Sequence, residues 1–491
     1  MLCHRLGSRN SGVEGTTLGT AAGSGVLTRR EWIQAATAAA GGGIVLSACG
    51  KALPTPTARP IHLVFQVDVP ALLGLGTVQS RTSLYQEVLA EFEHLNPGVT
   101  VTTQPYTATA NSIAAITAGE GPDVLADTAP AYPAYVEGSA LLQLDPLLQH
   151  DSVSNSIWSS TAVDALQTAT GTFGLSRGLD SYVFAVNVSL VNSLGLPLPS
   201  TDWTYTDLLQ LAQNLTDLAE NRAGVSFQPG PGNYLGVVGE VVAGFSGTVT
   251  NAARTVQTLS TGNSLTGMEW LFNALLLPGI GALTTTNDFQ KGTAGIQELQ
   301  QVDLLSVYSN WTNFQWVLYP PPTYPSGRSG SAAVNWWGIS STTKHSEQAW
   351  ALLRWITTQP TFQRLMMKAF LLPPALNSLN VEWVSTVEGV EPGLTGKGVH
   401  WFADSAESGW GHAVPWFAYN NTTAATDDGD WFKQILSGAV QIQLGLAAAD
   451  QQVNAVEAAG PQSSSTSAST SKGSATAAKA STTSQSKSSA G

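Results

Sequence analysis

The sequence is poor in cysteine and in charge. Cysteine occurs only as Cys3 and Cys49 in 491 residues. Both lie in or beside the N-terminal segment, so we expect a main body without disulfides or thiol chemistry, stabilised by its hydrophobic core alone. Charged residues make up 11% of the chain and the formal net charge is −13. Such a negative surface disfavours nucleic acid and anionic lipid as partners.

Catalytic and metal-binding motifs are also lacking. The sequence has no HExxH and no Walker loop, and its seven histidines are scattered without ligand-like spacing. We therefore expect neither an enzyme nor a metal site nor a cofactor. The best enzymatic alternative is a secreted glycoside hydrolase, whose two carboxylates could come from residues such as Asp404 and Glu407.

No apolar run is long enough to cross a membrane, and the nearest candidate, residues 28–49, reads TRREWIQAATAAAGGGIVLSAC. The Arg29-Arg30 pair before a short run of small apolar residues predicts a twin-arginine export signal, with an ordinary N-terminal helix as the alternative. The last four residues resemble the lipobox of bacterial lipoproteins. This resemblance implies that residues 1–48 are removed and that Cys49 is acylated.

Two low-complexity stretches flank the main body. Residues 49–60 are rich in Pro and Thr and predict an extended tether behind the lipid-bearing cysteine. Residues 461–491 consist almost entirely of Ser, Thr, Ala, Gly and Lys, which cannot bury enough surface to fold, so we expect a disordered tail. The intervening length suits two domains or one two-lobed body.

Strand and helix patterns alternate along the start of this body. Residues 61–67, 99–104 and 122–126 are short apolar runs typical of buried strands. Between them, residues 83–96 and 111–119 show helical periodicity, with Ser83 as a possible cap of the first helix. Further on, Thr206 could cap the helix that carries Leu208 and Leu211. This order predicts an α/β fold with a largely parallel sheet.

Several segments, in order, resemble family 1 extracellular solute-binding proteins, the receptors of ATP-binding-cassette importers for maltodextrins and other sugars. They include FEHLNPGVTV, IAAITAGEGPDVLA, EGSALLQLDPLL and SAAVNWWGISSTTKHSEQAWALLRWI, and the resemblance covers most of residues 61–455. It implies a two-lobed periplasmic-binding-protein-like fold of type II, in which each lobe has a mixed, mainly parallel sheet flanked by helices. Lobe 1 would comprise residues 61–178 plus 330–380, and lobe 2 residues 181–326 plus 381–455.

In such a fold the ligand lies in the cleft where the chain crosses between lobes. We place the first crossing at residues 176–181, before a strand over residues 182–187, and the return at residues 326–332. The density of Gly and Ser in the return suits a hinge, although a plain surface loop has the same composition. Residues 224–292 match the family pattern poorly, so no contacts are carried over from them.

Three carboxylates are candidate ligand contacts, because sugar hydroxyls bind to carboxylates and amides. Asp180 lies in the first crossing, where several members of the family place a carboxylate; the alternative is a solvated loop residue. Asp127 and Asp68 each follow a predicted parallel strand, and open α/β sheets bind ligands at the carboxyl ends of their strands. Either of these two could instead cap the next helix.

Tryptophan supplies the apolar contacts that carbohydrate sites need, and 12 of the 15 tryptophans lie from Trp270 onward. Trp336 and Trp337 occupy the place of a cleft-lining stretch in the family, and because neighbours on a strand point to opposite faces, at most one should contact ligand. Trp410 and Trp416 lie in a loop and are further candidates. Trp350 and Trp355 recur at helical spacing and are expected in the core.

The resemblance implies a receptor that captures a mono- or oligosaccharide and closes around it, then delivers it to importer permease subunits. We expect a monomer, held at the outer face of the membrane or in the periplasm by its lipid alone. The same fold could instead bind a polyamine, an oxoanion or a metal ion such as ferric iron. A lipoprotein used for sensing or adhesion is a third alternative.

Overall fold

The computed structural model describes residues 60–67, 78–228, 235–283, 287–419 and 421–460. The predicted signal, nearly all of the tether, the predicted tail and Asp68 lie outside these ranges. Within them, no helix combines the length and the apolar character that a membrane crossing requires.

Strands are distributed along the whole length of the described body. They are β1 (Ile61–Val67), β2 (Val99–Pro105), β3 (Val124–Asp127), β4 (Gln167–Thr168), β5 (Gly171–Thr172), β6 (Gly174–Asn187), β7 (Ala223–Phe227), β8 (Gly281–Leu283), β9 (Ala294–Gln300), β10 (Trp316–Tyr319), β11 (Thr323–Tyr324), β12 (Gly327–Arg328), β13 (Gly330–Ile339) and β14 (Gly411–Ala413).

Helices separate most of the strands and dominate the C-terminal part. They are α1 (Val78–Leu95), α2 (Thr109–Thr117), α3 (Tyr132–Glu137), α4 (Asp145–His150), α5 (Ser160–Leu166), α6 (Val188–Ser193), α7 (Tyr205–Leu215), α8 (Leu235–Gly244), α9 (Gly262–Trp270), α10 (Asn287–Lys291), α11 (Gln301–Val307), α12 (Ser346–Thr358), α13 (Pro360–Phe370), α14 (Asn380–Val390), α15 (His400–Ser408), α16 (Asn421–Leu436) and α17 (Ile442–Ala458). A π-helical segment, Leu271–Leu276, continues α9.

The main sheet has the strand order β2-β1-β3-β13-β6-β9-β7-β8. Strand β1 pairs in parallel with β2 and β3, and β7 pairs in parallel with β8 and β9. We call these two groups the first and second halves of the sheet. The strands predicted at residues 61–67, 99–104 and 122–126 are confirmed as β1, β2 and β3 with small shifts at their ends.

Strands β6 and β13 run antiparallel between the two halves and are called here the central pair. Their register joins Ser181 to Ala332 at one end and Gly174 to Gly338 at the other. Strand β13 also pairs with β3, whereas β6 also pairs with β9 and β10. The strand predicted over residues 182–187 in fact begins earlier, at Gly174, and the predicted crossing at residues 176–181 is part of it.

Three groups of buried side chains fill the fold. One lies against the first half and includes Phe65, Trp337 and both tryptophans of α12, Trp350 and Trp355, so the core position predicted for these two is confirmed. A second lies against the second half, around β7, α8 and the π-helical segment. The third covers the central pair and contains Trp336 and Trp416.

Two helix starts differ from the sequence prediction. Helix α1 begins at Val78, so Ser83 lies inside it rather than at its cap. Helix α7 is capped by Thr204 instead of Thr206: the Thr204 hydroxyl accepts the Asp207 N–H at 3.2 Å, and the Asp207 carboxylate accepts the Thr204 N–H at 2.8 Å. This reciprocal pair satisfies two free N–H groups, which explains why the earlier threonine is the cap.

Close packing of α7 on β7 predicts a strong effect at Gly224. A Cβ at this position would meet the Ala212 carbonyl oxygen at 1.8 Å, and backbone cannot move aside as a flexible side chain can. We expect Gly224→Ala to lower the free energy of unfolding by about 3 kcal/mol, measured by urea denaturation.

The matched control for this substitution is Gly389→Ala. Gly389 lies within α14, and a Cβ there has nothing within 4 Å. This variant should gain roughly 0.5–1 kcal/mol of stability, because alanine favours the helix over glycine. Equal stability of the two variants would show that α7 does not pack on β7 as described.

Candidate ligand-binding site

A small cavity lies where the halves of the sheet meet at the central pair. Its volume is about 10 Å³, which leaves room for a single water molecule, and we call it the central cavity. The strands contribute polar groups and a later loop contributes apolar ones. The lining residues are Arg177, Gly178, Asp180, Val302, Asn335, Leu372 and Pro373. Four of these seven come from the central pair, so the sheet itself positions the site.

Asp180, the candidate from the first crossing, lines this cavity and is only 5% exposed. Its carboxylate accepts the Gln301 N–H at 3.0 Å, at the start of α11. Burial raises the pKa of Asp180 to about 8, and the negative charge of Asp303 acts in the same direction. Asp180 is therefore a buried acid rather than a solvated loop residue.

Arg177 is a site residue that the sequence analysis missed. In the central pair, Asn335 pairs with Gly178 and Trp336 with Ser176, so Arg177 is the extra residue of a β-bulge. Its guanidinium lies 5.6 Å from the centre of the Trp337 ring. Its positive charge partly offsets the effect of burial on the pKa of both Asp127 and Asp180. The sequence offered one signal for Arg177: it is a single basic residue among the otherwise uncharged first residues of β6.

Two amide side chains at the carboxyl ends of β7 and β9 were also missed. Gln228 donates from Nε2 to Asp303 at 2.5 Å, and Gln301 donates from Nε2 to the Leu371 carbonyl at 2.8 Å. The Oε1 atoms of both glutamines are buried and accept no hydrogen bond within the described structure. Open α/β sheets bind ligands at the carboxyl ends of their strands. The same rule that selected Asp68 and Asp127 in the first half would have selected both glutamines in the second half.

Asp127 and Trp336 lie beside each other at the end of the first half. Asp127 is 1% exposed and accepts hydrogen bonds from the hydroxyls of Thr109 and Tyr135, each at 3.0 Å. Burial raises its pKa. Trp336 pairs with Asp127 in register, and its indole N–H donates to the Thr128 carbonyl at 2.9 Å. Asp127 thus occupies the predicted carboxyl end, with its oxygens already bonded to protein.

Trp336 and Trp337 point to opposite faces of the sheet, as predicted for neighbours on a strand. Trp336 packs edge-on against Tyr132 and Tyr135, and Trp337 lies 5.0 Å from Phe65 between ring centres. Both indoles have no exposed surface. Trp337 thus packs in the buried group of the first half, and Trp336 in the group that covers the central pair.

Trp416 and Asp180 lie on opposite faces of the central pair. Leu179 packs in the same buried group as Trp416, and successive strand residues face opposite ways, so Asp180 faces away from that group. The sequence analysis placed these side chains in one cleft. The structure does not bring them together.

Trp416 instead borders a groove of about 470 Å³, called here the Trp416 groove. The Arg254 guanidinium stacks 3.8 Å from the centre of its ring. Arg254 also donates to the carbonyls of Gln167 at 2.9 Å and Asp164 at 2.7 Å, and the Trp416 indole donates to Ala165 at 3.1 Å. These bonds satisfy carbonyls left free at the end of α5.

The remaining candidates lie elsewhere. Trp410 is half-buried at the start of β14, with the Arg328 guanidinium 4.8 Å from its ring centre. Asp68, Cys49 and the Arg29-Arg30 pair lie outside the described residues. Among the residues that are described, no three His, Cys, Asp or Glu side chains come together as metal ligands would.

Several solved structures have a similar fold. The cyclic α-maltosyl-1,6-maltose binding protein of Arthrobacter globiformis has a TM-score of 0.67 and 16% identity, covering 82% of this chain and 100% of that one. The substrate-binding protein Lmo0181 of Listeria monocytogenes, solved with cycloalternan, gives 0.61 and 16%, covering 80% and 98%. The sugar-binding protein MalE of Xanthomonas citri gives 0.63 and 14%, covering 81% and 98%.

At these identities the likeness is one of fold, and it confirms the predicted α/β architecture of two lobes. No curated protein matches the chain by sequence. Residues 76–361, more than half of the chain, match the family described as bacterial extracellular solute-binding protein. The chain therefore belongs to the bacterial extracellular solute-binding proteins.

Proposed function

We propose that this protein is the receptor of an ATP-binding-cassette importer and captures a carbohydrate at the central cavity. One observation carries the proposal: polar side chains of the central pair line the cavity, and a neighbouring buried amide oxygen lacks a hydrogen-bond partner within the described structure. Asp180 and Asn335 line the cavity, and Gln301, whose N–H donates to Asp180, carries the amide oxygen without a partner. Buried polar atoms without partners are rare, and hydroxyl donors of a sugar would satisfy them.

The composition of the site favours a sugar over the other solutes considered. Arg177 is balanced by Asp127 and Asp180, so the site has no excess of positive charge to attract an oxoanion. The described residues form no cluster of metal ligands. Structural neighbours add support, since their names include binding proteins for maltose, maltodextrins and cyclic oligosaccharides.

Ligand capture in our proposal requires the two lobes to move apart, since the central cavity as described has room for only about one water molecule, and then to close around the sugar at the central pair. We keep the lobe boundaries of the sequence analysis, residues 61–178 plus 330–380 and residues 181–326 plus 381–455. Gly178 suits the boundary because its φ is +146°, a region that favours glycine, and a Cβ there would lie 2.4 Å from the Pro373 carbonyl oxygen. A ligand that contacts both lobes favours the closed arrangement, and the permease recognises closure.

We further propose that the protein acts as a lipid-anchored monomer outside the cell. The twin-arginine pair, Arg29-Arg30, would direct export, and acylation at Cys49 would hold the mature chain at the membrane. The family supports the extracellular placement. The segment up to residue 60 is long enough to let the folded body reach a permease nearby.

Asp180→Asn tests the ligand site. It preserves side-chain shape and an acceptor for the start of α11, but replaces the second carboxyl oxygen, which can accept from or donate to a sugar hydroxyl, by an amide nitrogen that can only donate. We expect sugar binding about tenfold weaker or more, with little change in the melting temperature. The measurement is isothermal titration calorimetry with malto-oligosaccharides, after a thermal-shift screen has identified the ligand.

The control is Glu220→Gln, the same chemical change at an exposed carboxylate. It should bind sugar as the unmodified protein does. Unaltered affinity in Asp180→Asn would place the sugar elsewhere in the fold. A screen in which no carbohydrate raises the melting temperature would reject the sugar proposal itself.

Cys49→Ser tests the anchor. Without a thiol to acylate, the exported protein should appear in the culture medium instead of the membrane fraction, as seen by fractionation and immunoblotting. Arg29→Lys together with Arg30→Lys should block export and retain the uncleaved chain inside the cell. Membrane retention of the Cys49→Ser protein would contradict the proposed acylation.

A further inference from the structure

Two glutamates are buried in the core of the second half, away from the residues that line the central cavity. Glu240 of α8 and Glu298 of β9 are both 0% exposed. Glu298 pairs with Phe184 in register, and the turns of α8 beside Glu240 carry Val237 and Val241, which are buried as well. An ionised carboxylate in such surroundings is strongly unfavourable unless a cation or several donors compensate it.

The contacts of this pair provide no cation. The Tyr324 hydroxyl donates to Glu240 Oε1 at 3.1 Å, and the Gln228 N–H lies toward Glu298. None of the ion pairs found among the described residues involves either glutamate. Glu240 Oε2 and both carboxyl oxygens of Glu298 are buried without a hydrogen-bond donor in the described structure, and the two side chains lie close enough for each to shift the pKa of the other. Two carboxylates offer no donor, so this contact is a hydrogen bond only when one of them is protonated.

The other ionisable groups around the pair are also acids. Tyr324 of β11 contacts Glu240, and Tyr182 of β6 lies close enough to Glu298 for the two to affect each other. The nearest further charges, Asp180 and Asp303, act on Tyr182 and are negative. Burial raises the pKa of Glu240 to about 7, and burial together with the nearby Glu240 raises the pKa of Glu298 well above its ordinary value.

We propose that Glu240 and Glu298 share one proton as a carboxylic acid–carboxylate pair, and that this pair makes the folded protein dependent on an acidic exterior. At low pH the shared proton supplies the missing donor, and the second half packs as described. When the proton is lost, two negative charges face each other in an apolar core. The fold is then destabilised around α8 and β9.

Two other buried carboxyl groups also make the stability of the fold depend on protonation. Asp428 of α16 is 1% exposed; one of its oxygens accepts from Gln257 at 2.7 Å and the other has no partner within the described structure. Glu457 of α17 is 2% exposed and accepts only the Tyr419 N–H, at 2.9 Å, among the described bonds. Burial raises the pKa of each to about 7. Asp428, Glu457 and the shared-proton pair thus all bind protons more tightly in the fold than in the unfolded chain.

The direction of the pH effect follows from these shifts. In the unfolded chain a glutamate ionises near its ordinary pKa of about 4.3. Since the folded pKa of each group is higher, the folded state binds more protons above that pH. Stability is therefore complete below about pH 4 and falls as pH rises toward and through 7.

The test is the melting temperature of the mature chain between pH 4 and pH 9. We expect the unmodified protein to melt about 5 °C or more lower at pH 8 than at pH 5. Glu298→Gln keeps the shape and supplies a permanent N–H donor to Glu240, so its melting temperature should fall less over this range. Glu220→Gln, at an exposed site, should follow the unmodified protein.

Infrared spectroscopy tests the proposal even if Glu298→Gln folds poorly. Infrared difference spectra of the unmodified protein should show the band of a protonated carboxyl at pH 6.5, which Glu240→Gln should weaken. A melting temperature that is flat from pH 5 to pH 8 would overturn the proposal. So would the absence of any protonated carboxyl band at pH 6.5. These readouts need no ligand, so they stand whether or not the protein binds a sugar.

Discussion

The antiparallel pairing of β6 with β13 is the constraint on which the rest of the structure depends. These strands join the two parallel halves of the sheet into one, because β13 borders β3 on one side and β6 borders β9 on the other. The carboxyl ends of the outer strands consequently face each other across the pair. Every group of the central cavity reaches its place through this arrangement, including those of α11 and the Leu372-Pro373 turn.

A site at the centre of a sheet of this kind requires that polar groups be buried. Asp127 and Asp180 are nearly inaccessible, and Arg177 is held in a bulge between them and Trp337. A polar group inside a protein is tolerated when its partners are fixed, and fixed partners also hold it in one orientation. The same fold thus gives the site its rigidity and makes it sensitive to protonation.

Sequence patterns predicted the first half of the sheet well and the site only in part. Strands β1 to β3 alternate with helices of clear periodicity, and such local signals do not depend on the rest of the chain. Arg177, Gln228 and Gln301 gave no comparable signal, since their roles arise from contacts made 50 or more residues away. Tryptophan abundance could not locate the site either: Trp336 and Trp337 have the composition of a sugar site, and the structure buries both completely.

The position of β13 has a consequence for how the chain assembles. This strand lies between β3 and β6 in the sheet, although more than 140 residues separate it from either in sequence. The first half therefore has an open edge until residue 339 has left the ribosome, and neither half can be completed on its own as synthesis proceeds. Such long-range pairing slows folding and leaves unpaired strand edges exposed to other chains. A nascent chain with this topology depends on protection from aggregation until its central strand is in place.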